Sequence, residues 1–444
     1  MKNTINWKNK SIKQQPDWEN KKLLNEILNQ IKNYPNLVSI EEIHNLKNEL
    51  TLASQGKKII LQAGDCAETF VDFNEQMIKN KIKIILQMSA ILKYSTNIDV
   101  LTIGRIAGQF AKPRGKEFEI KDNIKLPVYR GDGINDIQFD VNARKPNPKR
   151  LLQAYNQSAA TMNLIRKLLM EGFTHVNNIK EWKLSFLDQS ENESRYNTIV
   201  KKIKNALRFA TLNTLDKKLN FQNNLFISHE ALLLEYEETF LQYNSEYNKC
   251  YNCSSHMLWI GDRTRDLNSA HIEFASHIEN PIGIKIGPTF NANELKLLCN
   301  KLNPNNDINK LVLITRLGSK KINFLLPKLI KEVNKHNLNV IWMCDPMHGN
   351  TIVSKNGIKT RNVDTIKSEL ESFFSIHYAN NTIPAGIHLE LTGEDVTECL
   401  GGVNKVRDID LTEYYHTACD PRLNYEQSLE MAFLVSNLLV ENRR

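Results

Sequence analysis

Eight short apolar runs, separated by polar or amphipathic sequence, constrain this 444-residue chain more than any other feature. They are 57–65 (KKIILQAGD), 99–105 (DVLTIGR), 224–230 (NLFISHE), 256–263 (HMLWIGDR), 281–287 (PIGIKIG), 311–318 (LVLITRLG), 339–345 (NVIWMCD) and 385–393 (AGIHLELTG). Runs this short and this apolar suit strands covered on both faces, as in a parallel sheet. Between them, 77–94, 148–172, 294–302, 322–336 and 363–378 place apolar residues three and four apart, the spacing of one helix face. Strict alternation of strand and helix predicts a parallel sheet, and eight units is the number at which such a sheet closes into a (β/α)8 barrel. An open doubly wound sheet satisfies the same alternation, but no GxGxxG or GxxxxGK[ST] turn is present.

The barrel is expected over 57–444, with residues 1–56 as an N-terminal extension that forms a cap or an interface arm. The interval 137–223 is too long for a single crossover. After a barrel helix at 148–172 it is expected to carry a helical insert, about 173–222, between the second and third strands.

Several classes of protein fit poorly. The net charge of +8 suits an anionic partner, but the basic residues are spread out, with no polybasic block, which favours small phosphate ligands over nucleic acid. No window holds 18 consecutive apolar residues, and the start lacks the apolar core of a signal peptide, so the expectation is a cytoplasmic protein with no membrane partner. Seven cysteines in this length do not make a disulfide framework, and KCYNCSS (249–255) is half a zinc-ribbon pattern, read here as ordinary thiols.

The strand ends carry the chemistry. Every apolar run finishes on polar or charged residues: Asp65 and Cys66, Arg105, His229 and Glu230, Asp262 and Arg263, Lys285, Arg316, Asp345 and His348, His388 and Glu390. A single such ending is a solvated strand terminus; eight in a barrel whose catalytic face is built from those ends form a site. Arg105, Lys112, Arg263, Lys285 and Arg316 gather more positive charge than a few carboxylates offset, which calls for a polyanionic ligand such as a phosphate. Cys66, His348, Glu390 and the later Asp420 mix soft and hard donors, a set suited to a divalent transition ion rather than Mg or Ca.

The same residues lie in QAGDCAETF (62–70), GRIAGQFAKPR (104–114), YRGDGIN (129–135), SHEAL (228–232), HMLWIGDRTR (256–265), DPMHGNT (345–351), HLELTGEDVTECLGG (388–402) and CDPRLNYEQSLEMAFLV (419–435). This ordered series, with QQP at 14–16, resembles the type II 3-deoxy-D-arabino-heptulosonate 7-phosphate (DAHP) synthases, and the likeness spans nearly the whole chain. It implies a metal-dependent transferase that condenses phosphoenolpyruvate with erythrose 4-phosphate in the shikimate pathway. By motif, Cys66, His348, Glu390 and Asp420 would hold the metal, with Mn the first choice and Co, Fe or Zn as alternatives. Arg105 and Lys112 would take the phosphoenolpyruvate carboxylate as the catalytic cations, and Arg263, Lys285 and Arg316, beside Asp262, would take its phosphate. Arg114 completes the substrate-binding set. The resemblance also implies a homo-oligomer and chorismate mutase as a partner, and its early start favours a bacterial cytoplasm.

Two positions depart from the family pattern. Gly115 follows Arg114 where a hydroxyl residue is usual, and Asp262 stands one methylene shorter than the usual Glu. Both leave an altered aldose open as a second reading, with a non-catalytic regulatory paralogue as a third. His388, two residues before Glu390 on the same strand face, reads as a neighbour of the site rather than a fifth ligand. Cys419, next to Asp420, either points away as a small buried hydrophobe or lies close enough to Cys66 to bridge with it once metal is lost.

Overall fold

The computed structural model describes residues 6–170 and 225–441. Eight parallel strands close into a barrel: β1 (Lys58–Gly64), β2 (Asp99–Arg105), β3 (Leu225–Glu230), β4 (Met257–Ile260), β5 (Ile282–Ile286), β6 (Leu311–Thr315), β7 (Ile341–Cys344) and β8 (Pro384–Glu390). Each falls within one of the eight apolar runs or a residue from it. The ring closes where β1 pairs with β2 on one side and β8 on the other. The expected insert at 173–222 lies outside the described residues.

Alternation along each strand divides the core in two. Ile60, Leu101, Ile103, Phe226, Met257, Val312, Ile314, Ile341 and Met343 share one cluster inside the barrel. Their strand neighbours Ile59, Leu61, Leu311, Leu313 and Trp342 join the second cluster, between the sheet and the helices. The same parity carries Gln62, Arg105, Glu230, Lys285, His388 and Glu390 into the interior at its carboxyl end. Register aligns them: Gly64 pairs with Arg105 across β1/β2 and with Glu390 across β1/β8. Gly64 has φ +146, and a side chain there would collide with the Arg105 backbone, so glycine is required at this closure.

The chain ahead of β1 forms α1 (Lys21–Lys32) and α2 (Ile40–Ser54). Ser39 and Glu42 make a reciprocal capping box that starts α2. Leu46, Leu50 and Ala53 of α2 belong to the inner barrel cluster, so this helix stoppers the end of the barrel opposite the strand carboxyl termini. Further helices include α3 (Glu75–Thr96), α4 (Lys149–Met170), α5 (Leu234–Glu238), α6 (Ala270–Ser276), α7 (Leu295–Leu302), α8 (Ile322–Lys335), α9 (Val363–Ala379) and α10 (Tyr425–Glu441). Three hairpins not foreseen in the sequence interrupt the loops: Phe118–Lys121 with Ile124–Pro127, Leu241–Asn244 with Lys249–Asn252, and Thr351–Val353 with Lys359–Arg361. No helix among the described residues is long and apolar enough to cross a membrane.

The stopper role of α2 gives a direct expectation. Leu50 is fully buried, so Leu50→Ala should cost about 2–5 kcal/mol of stability, read from the shift in urea midpoint. A shift near that of an exposed substitution would show that α2 rests on the barrel without sealing it.

Candidate active site

A cavity of about 740 Å³ opens at the carboxyl ends of the strands. Its lining includes Arg105, Lys112, Arg114, Asp262, Arg263, Lys285, Arg316, His348 and Asp420, nine of the eleven residues singled out from the sequence. The other two, Cys66 and Glu390, are fully buried behind them. These eleven therefore come together, whereas His229, another strand-end residue, is buried against Glu237 and does not line the cavity.

Three of them form a compact donor cluster, with His348 at its edge. One ligand atom from each of Cys66, Glu390 and Asp420 lies within 4.8 Å of the others. His348 Nε2 is 3.2 Å from Glu390 Oε1 and 3.9 Å from Asp420 Oδ2. Asp345 Oδ2 accepts from His348 Nδ1 at 2.7 Å, which turns Nε2 toward the cluster, the usual arrangement of a metal-binding histidine. One thiol, one imidazole and two carboxylates thus converge where the sequence called for a transition-ion site, and the residues fit such an ion.

The charges around this cluster determine its protonation. Burial would raise Glu390, but His348, Lys112, Arg361 and Arg105 outweigh it and hold the carboxyl well below the usual range. Burial likewise opposes ionisation of Asp420, which Lys112, Arg361 and His348 bring far down. Lys112 lies 3.0 Å from Glu390 Oε1 and 3.3 Å from Asp420 Oδ2. Despite its burial, its ammonium is kept protonated by Cys66, Glu390 and Asp420. Burial pushes the Cys66 thiol up, helped by its hydrogen bond with Cys419. Cys419 therefore lies beside Cys66, near enough for the two thiols to perturb each other, and both are free.

Arg105, Lys285 and Arg316 are oriented by buried or half-buried partners, whereas Arg263 is exposed. Arg105 donates from NH2 to Glu390 Oε1 at 2.9 Å and from Nε to the Asp65 carbonyl at 2.9 Å, while its NH1 meets His388 Nε2. His388 in turn contacts Gln62 Oε1 through Nδ1, so it supports Arg105 and adds no fifth donor to the cluster. Asp262 accepts from Arg316 NH1 at 2.8 Å, from Arg265 Nε at 2.9 Å and from Gly287 N–H at 3.0 Å. Its carboxylate thus aims arginines, which places it beside the cations as expected. Lys285 pairs with Asp345, and burial lowers its ammonium to about 8. Gly115 has open space where a side chain would project, with Arg263 NH2 the nearest atom at 3.7 Å.

Sequence reading missed several members. Arg361 is fully buried; its NH1 lies 2.8 Å from Glu390 Oε2 and donates to the Pro421 carbonyl, and its Nε donates to Thr351 Oγ1 at 3.1 Å. One guanidinium thus touches Glu390 and the near neighbours of Asp420 and His348. Lys359 pairs with Asp420 Oδ1 at the cavity wall. Glu230 was seen only as a strand end; it lines the cavity, and burial raises its carboxyl. From the N-terminal extension, Gln14 Oε1 accepts from the Arg114 N–H at 2.8 Å. Strand parity could have exposed Glu230, whereas Arg361 and Lys359 come from a hairpin without a local signal.

Comparison with known proteins agrees with this geometry. Residues 2–436 match the family model described as the class-II DAHP synthetase family. The phospho-2-dehydro-3-deoxyheptonate aldolase of Streptomyces coelicolor is 42% identical over 433 residues, 97% of this chain and 96% of that protein. Phospho-2-dehydro-3-deoxyheptonate aldolase AroG of Mycolicibacterium smegmatis is 43% identical over 434 residues, 96% and 92% of the two chains. A solved phospho-2-dehydro-3-deoxyheptonate aldolase from Francisella tularensis shares the fold, with a TM-score of 0.51 at 15% identity over 98% of this chain and 100% of that one. With an eight-stranded barrel, a donor quartet and a cationic cavity built from the motifs of that family, the chain belongs to the class-II DAHP synthetases.

Proposed function

We propose that this chain condenses phosphoenolpyruvate with erythrose 4-phosphate, giving DAHP and inorganic phosphate, the entry step of the shikimate pathway. The observation that carries the reading is a cavity lined by eight lysines and arginines, the five predicted cations among them, with a soft and hard donor set at and behind its wall, in a chain of this family. Phosphoenolpyruvate presents a carboxylate and a phosphate. Arg105 and Lys112 take the carboxylate, and Arg263, Lys285 and Arg316 take the phosphate, with Asp262 aiming Arg316 and Arg114 serving the aldose phosphate.

Cys66, His348, Glu390 and Asp420 would hold one divalent ion, Mn first among Mn, Co, Fe and Zn. Bound there, it supplies Lewis acidity to an aldehyde oxygen. The chain's own groups do the rest. Fixed cations hold the two anions in register and offset the charge of the departing phosphate, an effect worth several kcal/mol where water is excluded. As the methylene carbon of phosphoenolpyruvate bonds to the aldehyde carbon, negative charge gathers on the aldehyde oxygen, and the protonated Lys112 ammonium is the hydrogen-bond donor at hand while a proton arrives from solvent. Water then captures the cationic carbon. Glu230, a buried carboxylate made more basic by its burial, takes its proton before the carbon–oxygen bond to phosphate breaks. Self-association, docking of chorismate mutase and a cytoplasmic location belong to the same proposal and rest on the family likeness.

The deciding experiment measures phosphate release from phosphoenolpyruvate with erythrose 4-phosphate, arabinose 5-phosphate or a mannosamine derivative, with and without a chelator. Turnover confined to erythrose 4-phosphate and abolished by the chelator is expected. Preference for another aldose would tie Gly115 to altered specificity, and no turnover with Mn and any aldose would favour a regulatory paralogue. Glu390→Gln should lose both metal and rate, and a variant that keeps stoichiometric metal at full rate removes Glu390 from the ligand set.

The Lys285 amine supplies a pH dependence. Its folded value is depressed to about 8, so the ammonium is present below that pH and lost above it. The KM for phosphoenolpyruvate should therefore climb above about pH 8, by up to about tenfold per unit for one proton. Lys285→Arg, charged throughout, should flatten that limb; an unchanged limb assigns the titration elsewhere.

The paired thiols supply a redox dependence. Metal-free protein held in air should lose its capacity to be reactivated by Mn as the Cys66 and Cys419 thiols surrender two electrons and two protons to dioxygen, forming one S–S bond and hydrogen peroxide. A thiol reductant followed by Mn should restore it. Recovery of both residues only as free or singly oxidised thiols in peptide maps of the oxidised protein would dismiss the bridge.

A further inference from the structure

Glu369 lies on α9, in the outer helical layer, yet its carboxylate reaches the loops at the barrel mouth and is fully buried there. Oε1 accepts the backbone N–H groups of Leu317 at 3.0 Å and Gly318 at 2.8 Å, just after Arg316. Oε2 accepts from Asn350 Nδ2 at 2.5 Å, two residues after His348. Asn350 completes the tie: its Nδ2 also donates to the Pro346 carbonyl at 2.8 Å, and its Oδ1 accepts from Ser319 N–H at 3.1 Å. The two loops also touch directly. Arg316 NH2 donates to the His348 carbonyl at 2.8 Å, and a side chain on Gly349 would collide with the Gly318 backbone. Gly318, with φ +82, bends the first loop into place. Burial raises the Glu369 carboxyl to about 8, but all three groups facing it are donors, so the geometry selects the anion.

We propose that Glu369 is a positioning residue for phosphoenolpyruvate: by tying the loop after β6 to the loop after β7, it sets Arg316 against the donor cluster and thereby determines affinity for the substrate phosphate. Glu369 touches no substrate; it acts through the backbone that carries Arg316. This deepens the proposed function and rests on the assignment of Arg316 to the phosphate of phosphoenolpyruvate.

Glu369→Gln keeps the volume but sets an amide N–H2 against Asn350 Nδ2, turning one attraction into a clash of donors. With Mn-loaded protein, the KM for phosphoenolpyruvate and its dissociation constant by calorimetry should rise about tenfold, the loss of one charged hydrogen bond. The KM for the aldose should stay within about twofold, because the loss concerns one substrate. Two results overturn the proposal: unchanged phosphoenolpyruvate affinity in Glu369→Gln, or equal losses for both substrates with a lowered melting temperature. If Glu369→Gln cannot be recovered folded, Asn350→Ala, which spares the bonds to Leu317 and Gly318, is read by the same criteria. Wild-type protein that binds phosphoenolpyruvate but releases no phosphate refutes the enzymatic reading alone, since calorimetry still decides the role of Glu369. Wild-type protein that does not bind phosphoenolpyruvate refutes both.

Discussion

The carboxylate of Glu390 is the charge around which the barrel mouth is organised. It is fully buried at the end of β8, where an unpaired anion would cost several kcal/mol. Arg105, Lys112 and His348 surround Oε1, and Arg361 stands at Oε2. These partners come from the end of β2, from the loop after it, from the loop after β7 and from the hairpin ahead of α9. A single buried anion therefore ties together four segments drawn from two regions far apart in sequence. Exchanging it for an apolar residue would strand three buried cations and an imidazole at once, whereas losing one cation leaves the others to compensate.

How that carboxylate comes to be inside follows from strand geometry. With Gly386 facing inward beside Ile60, a period of two places His388 and Glu390 inward as well. The same rule sends Arg105, Glu230 and Lys285 into one interior, so their convergence was legible before any coordinates. Legible too were the eight strands, the outer helices and the donor quartet, because each rests on local periodicity or on a long ordered motif. What stayed hidden has non-local causes. Arg361 becomes a site residue only because a three-residue hairpin strand, Lys359–Arg361, folds it under Glu390, and strands that short leave no periodic trace. The stoppering of the barrel by α2 was equally unreadable: its apolar face says that the helix is buried, not which surface buries it.

The loops at the mouth raise a second physical problem, and the solution recurs. A cavity for a polyanion must present cations, so its loops cannot be fixed mainly by burying apolar side chains. Here buried or nearly buried carboxylates from neighbouring segments take that role. Glu68 accepts the N–H groups of Ala107, Gly108 and Gln109, ahead of Lys112. Asp345 accepts those of Met347 and His348 and pairs with Lys285. Asp262 accepts that of Gly287 and holds Arg316.

Each of these anions does two things with one group. It satisfies backbone donors that the irregular loop leaves without a ladder partner, and it offsets part of the positive charge collected at the mouth. The division of labour explains why so much net positive charge is tolerable at one end of a barrel. Carboxylates below the surface neutralise the cations from behind, while the faces turned to the cavity keep their donors for a ligand that brings its own charge. On this view the strand-end carboxylates are not a residue of solvated termini. They are the counter-charges that let five cations share a cavity, and their positions determine which way each cation points.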